Sequence, residues 1–98
     1  MLIEVKAIKR TFGFFVRLTV EVKDGAIDIR NGINRTSAPI QAVEYAATER
    51  KRHGLRMRTT ISLVGAGAVL GSVELSPNQY KAGDEAAKWI NELIQKGA

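Results

Sequence analysis

Residues 37–54 read SAPIQAVEYAATERKRHG, and the fold turns on whether this stretch is a helix or a strand. Ser37 is a favoured N-cap, and Pro39 falls in the first turn, where a missing N–H costs nothing. Ala42, Ala46 and Ala47 are strong helix formers. Ile40, Val43 and Ala47 make a short apolar stripe. The last turn is basic and Gly54 ends it. This reading gives a helix over 38–53. The other reading makes 40–52 a strand that turns at His53-Gly54 into Leu55. That register sets Lys51 opposite Arg56, a like-charge pair that costs stability. The alanines and that pair weigh toward the helix.

The flanking segments are read more directly. Residues 2–10 alternate loosely and form a first strand, with a turn over 11–14 around Gly13. In residues 14–30, Val16, Leu18, Val20 and Val22 point one way and Arg17, Thr19, Glu21 and Lys23 the other. Asp24-Gly25 is a favoured two-residue type I′ turn. It sets Val22 opposite Ile27 and Val20 opposite Ile29, so the apolar faces agree. Residues 31–36 read as loop. Beyond Gly54, Leu55, Met57, Ile61 and Leu63 alternate with Arg56, Arg58, Thr60 and Ser62. Gly65-Ala66-Gly67 then turns the chain, and 68–75 returns. Residues 84–96, DEAAKWINELIQK, are the clearest amphipathic helix. Ala86, Ile90, Leu93 and Ile94 share one face, and Trp89 broadens it.

The expected fold is therefore α+β, a single domain over 1–98. It has a five-stranded, mostly antiparallel sheet in the order β-β-β-α-β-β-α, with two helices on one face. If 40–52 is a strand, the chain is mostly antiparallel strands closed by one C-terminal helix. That order resembles the pleckstrin-homology-like roll, including its bacterial members.

The chain has no cysteine, which excludes disulfides, thiolate metal sites and a cysteine nucleophile. That usage fits the cytosol, and the expected location is cytoplasmic. The N-terminal residues lack the apolar core of a signal peptide. The longest charge-free run, residues 59–73, has fifteen residues, short of the ~20 a spanning helix needs. The formal net charge is +5. Five cations, Arg50, Lys51, Arg52, Arg56 and Arg58, lie within 50–58 without an acid, and the other ten cations balance ten acids.

That basic segment is the first candidate site, an electrostatic footprint for nucleic acid, a phosphate-bearing ligand or an acidic protein. No aromatic is interleaved with it, so a base-stacking platform is not supported. In the helical reading geometry splits the patch. His53, the one histidine, has no partner that would make it catalytic or a metal ligand. The Asp24-Gly25 register places Glu21 opposite Asp28, and Lys23, Arg30 and Arg17 are close enough to neutralise the pair. Gly65, Gly67 and Gly71 join strands and do not open a helix, so they are not a dinucleotide fingerprint. Ile8, Phe15, Val64 and Leu70 fall on the outer sheet face and are the expected interface of a homo-oligomer. The expected role is non-enzymatic, without cofactor or metal: a self-associating structural or adaptor domain. The alternative is a module that binds an acidic partner through 50–58.

Overall fold

The Asp24-Gly25 pair builds the hairpin its chemistry requires. Both residues have positive φ, 53° and 75°, as a type I′ turn demands. The computed structural model describes residues 7–13 and 17–97, apart from the side chain of His53. Four strands, β1 (Ile8–Phe12), β2 (Leu18–Lys23), β3 (Ala26–Asn31) and β4 (Asn34–Pro39), form one antiparallel sheet in chain order. Val22 lies opposite Ile27 and Val20 opposite Ile29, as the alternation predicts. Leu18, Val20, Val22, Ile27 and Ile29 are fully buried. Each such side chain contributes roughly 1.5–3 kcal/mol before entropy is subtracted.

The helix expected over 38–53 does not form. A short 3₁₀ turn, Ile40–Ala42, leads into β5 (Tyr45–His53). With β6 (Arg56–Gly65) and β7 (Ala68–Leu75), β5 makes a second antiparallel sheet. A 3₁₀ turn, Pro77–Gln79, then opens helix α1 (Tyr80–Gly97). The five-stranded, two-helix description is thus replaced by two antiparallel sheets of four and three strands and one C-terminal helix. Most of the 40–52 segment is thus strand, and mostly antiparallel strands are closed by one C-terminal helix.

Tertiary contact decides against helix propensity here. Ala46 is buried, and its N–H donates to Asn91 Oδ1 at 2.7 Å while its carbonyl accepts from Asn91 Nδ2 at 3.0 Å. A small residue lets α1 approach this close, so the alanine serves packing between strand and helix. The Thr48 hydroxyl donates to Asp84 one stage further along. The like-charge objection also weakens. The turn is Gly54-Leu55, so Lys51 faces Arg58 and not Arg56. Both are exposed to water, and each has a carboxylate nearby: Glu49 at 3.9 Å from Lys51 and Glu74 at 3.3 Å from Arg58.

Several boundaries also move. Thr11 and Phe12, expected in a turn, extend β1, and residues 2–6 of the expected first strand lie outside the described residues. The expected loop over 31–36 is a tight turn at Gly32-Ile33 between β3 and β4. Helix α1 starts at Tyr80, a turn earlier than Asp84, because Gln79 Oε1 accepts the Ser76 N–H at 2.7 Å and completes a capping box. Its buried face is Ala82, Ala86, Ala87 and Ile90, with Trp89, Leu93 and Ile94 partly buried along its margin.

The sheets meet along β4 and β7, and α1 lies along β5 and reaches β1 on the opposite side. Gly71 marks the junction, since a Cβ there would collide with the Thr36 side chain. The two ends of the molecule are built differently. At one end, residues 40–44 cross between the sheets and are bonded to both adjoining hairpins. Ile40 N–H donates to the Gly25 carbonyl and Glu44 N–H to the Val64 carbonyl, both at 2.8 Å. Ala66 N–H donates to the Glu44 carboxylate at 2.6 Å. At the other end, the two-residue turns among the described residues are Gly32-Ile33 and Gly54-Leu55. Their glycines come first and have φ of 64° and 62°, the pattern of a type II′ hairpin.

Candidate functional site

The basic segment occupies the hairpin of β5 and β6. Pairing between β6 and β7 stops at Thr59–Leu75. At the start of α1, the Arg50 guanidinium lies 3.9 Å from the centre of the Tyr80 ring. Residues 51–58 thus extend past the end of the β6–β7 pairing as a two-stranded ribbon, with the Arg58 side chain still reaching Glu74 of β7. Lys51, Arg52, Leu55, Arg56, Met57 and Arg58 are all exposed. Strand alternation puts Lys51, Arg56 and Arg58 on one face and Arg52 with Met57 on the other. The five predicted cations are thus brought together on one hairpin and distributed over its two faces.

Pairing of these cations with acids is light. Among the described residues, Arg58 meets Glu74 and Lys51 meets Glu49, both at exposed positions. Pairs of that kind contribute ~0–1 kcal/mol. Arg52 and Arg56 meet no carboxylate among the described residues.

A cleft of about 510 Å³ runs between this ribbon and the β3–β4 turn, lined by Asn31, Asn34, Arg56, Met57, Glu74 and Leu75, among others. Its base is held by a buried amide, Gln79. Asn31 Nδ2 donates to Gln79 Oε1 at 2.9 Å, and Gln79 Nε2 donates back to Asn31 Oδ1 at 2.7 Å. Asn31 Nδ2 also reaches the Glu74 carbonyl at 2.9 Å. This network fixes the β3–β4 turn against the end of β7. The Gly32-Ile33 and Gly54-Leu55 turns consequently stand at the same end of the molecule. Their apolar residues are bare: Ile33 is 101% exposed and Leu55 102%. Met57 on the ribbon is 51% exposed.

Sequence reading missed Ile33. The signal was present, because a glycine followed by an apolar residue between two alternating runs is a type II′ hairpin with an outward tip.

The other candidates resolve as follows. Glu21 does lie opposite Asp28. Asp28 is held by Arg35 at 3.0 Å and Arg30 at 3.2 Å, so the carboxylate is neutralised from its own sheet. Among the described residues no group of three or more His, Asp or Glu is placed to hold a metal ion. A second depression, of about 400 Å³, lies between β1 and α1 and includes Arg10, Phe12 and Trp89. Trp89, expected as core, is only partly buried. It packs at 6.3 Å from Phe12, with the Arg10 guanidinium 6.0 Å from its ring centre.

The four expected interface residues are dispersed. Ile8 is on β1, opposite Val22 and 41% exposed. Val64 and Leu70 belong to the other sheet, where the β6–β7 register is irregular between Leu63 and Val64. Phe15 lies outside the described residues. Tyr45, Val64 and Val69 are direct cross-strand neighbours. Sequence reading included Val64 of these and missed the other two.

No protein-family model, curated protein or solved structure matches this chain. Among the described residues no helix is long and apolar enough to cross a membrane.

Proposed function

We propose that the protein is a non-enzymatic binding module whose partner is acidic and is met by the β5–β6 hairpin. One observation carries this reading: the whole net charge of +5 lies within residues 50–58, on one hairpin whose tip extends past the end of the β6–β7 pairing, with Arg50 against Tyr80 of α1 and Arg58 against Glu74 of β7. Cations held on a rigid scaffold without intervening acids raise the local concentration of an anionic partner and speed its encounter. Binding of the whole chain to a labelled duplex oligonucleotide and to a labelled polyglutamate peptide tests the reading, by anisotropy at low and high salt. Binding to at least one probe, weakened by salt and by the triple variant Arg52→Ala, Arg56→Ala, Arg58→Ala, is expected. Failure to bind both probes and anionic vesicles at low salt sinks it.

A second reading, self-association, is favoured by the cross-strand row Tyr45, Val64 and Val69 with Leu70 beside it. Tyr45, Val69 and Leu70 are all exposed, and the row runs over all three strands of the smaller sheet. Two copies joined there would bury apolar surface that is otherwise wet. Light scattering at rising concentration tests it, with Val69→Glu expected to return an oligomer to monomer. A monomer mass at high micromolar concentration removes this reading.

A further inference from the structure

We infer that the acidic partner is an anionic membrane surface, on which the ribbon end docks by dipping Leu55 and Ile33 below the headgroups. The inference rests on the basic-hairpin reading above and adds the nature of the partner.

Charge alone does not select a bilayer, and the apolar tips supply the selection. An isolated exposed leucine or isoleucine is ordinary on a protein surface. Here two fully bare aliphatic residues occupy the same position in two turns of the same type, at one end of one molecule. At the opposite end the matching turns are Asp24-Gly25 and Ala66-Gly67, which offer no large apolar side chain. The apolar tips and the excess cations therefore share one end. Arg52 and Arg56 flank the Gly54-Leu55 tip closely in sequence, and Met57 continues the apolar surface behind it. Long arginine side chains stay at headgroup level while the apolar tip goes deeper. Peripheral membrane binding of this kind needs two signals together, an apolar insertion and a basic patch.

Acids do not oppose the approach. Glu74, which lines the cleft at this end, is engaged by Arg58, and Glu49 on β5 lies 3.9 Å from Lys51. Nucleic acid is the less favoured occupant. The ribbon carries no aromatic for single strands to stack on, and phosphate contacts to a duplex make no use of Leu55 and Ile33.

The test is flotation of the intact chain with vesicles of phosphatidylserine in phosphatidylcholine, against phosphatidylcholine alone. Binding to the anionic vesicles only, weakened by salt, is expected. Arg52→Ala and Arg56→Ala should each weaken it about five-fold, the equivalent of ~1 kcal/mol per cation at an anionic surface. Leu55→Asp should weaken it at least about ten-fold through loss of apolar burial, and Ile33→Asp should act in the same direction. Both positions are bare, so the melting temperature should not move, and Leu55→Ser provides a second, uncharged version. Unchanged vesicle binding in both Leu55 variants overturns the inference and leaves the acidic-partner reading in place. Binding to the duplex oligonucleotide or to polyglutamate without binding to vesicles does the same. Failure with all three probes overturns both.

Discussion

The two ends of the molecule differ in their turns and in what holds them. At the crossover end, residues 40–44 are bonded to the β2–β3 and β6–β7 hairpins, and backbone passes so close to backbone that Gly65 has no room for a side chain: a Cβ there would collide with the Ala42 carbonyl. At the ribbon end, a Cβ on Gly32 or Gly54 would meet nothing within 4 Å. One end spends its residues on joining the sheets. The other leaves two hairpin tips in water, with Arg52 and Arg56 beside one of them. Residues that face no structural demand are the ones available for a partner.

Substitutions at the two ends test that contrast. Gly65→Val should cost about 3 kcal/mol, because the valine has no space that does not require the backbone of residues 40–44 to move. A urea melt checks it, and a loss under about 1 kcal/mol would mean that the crossover is looser than its bonds imply. Gln79→Leu should cost about 2 kcal/mol by leaving Asn31 and the Ser76 N–H without their buried partner. The same melt reads this, and hydrogen exchange should show the β3–β4 turn opening first. A stable variant with a protected turn would remove Gln79 as the anchor of the ribbon end.

Gly54→Ala should cost roughly 1–2 kcal/mol, since the position is spatially open and the whole penalty is that of positive φ. A larger loss would show that the ribbon packs on something. Leu55→Ser and Ile33→Ser should fall within about 0.5 kcal/mol of the parent. A clear destabilisation by either would contradict the free standing of these tips. No comparable substitution at Ile40, buried at the crossover end, should be neutral.

The sequence was most informative where local chemistry and long-range packing agree. Asp24-Gly25 announces both the turn and the register, and the alternating valines and isoleucines around it fill the core as read. The closing helix was legible from Ile90 and its neighbours. Its true start was not, because the capping box at Ser76 and Gln79 precedes the amphipathic stretch. The 40–52 segment failed for a physical reason. Its alanines carry helix propensity, while the actual use of Ala46 is to let α1 settle against β5, a contact with a residue 45 positions away. The basic segment was legible as charge and illegible as shape, since the wrong element would have split it between a helix end and a strand. Ile33 went unnoticed because the turn that displays it was read as formless loop.

The clasp between Asn91 and Ala46 bears on how this protein behaves in a crowd. β5 is the outer strand of its sheet, and outer strands with unpaired N–H and carbonyl groups recruit further strands from other chains. Asn91 answers both groups of Ala46 as a neighbouring strand would, so the sheet is sealed at that point by a single side chain. Further along the same strand, Arg50, Lys51 and Arg52 repel another copy of themselves. Addition of a further strand to β5 is thus opposed at one point by mimicry of a strand and along the next stretch by like charge.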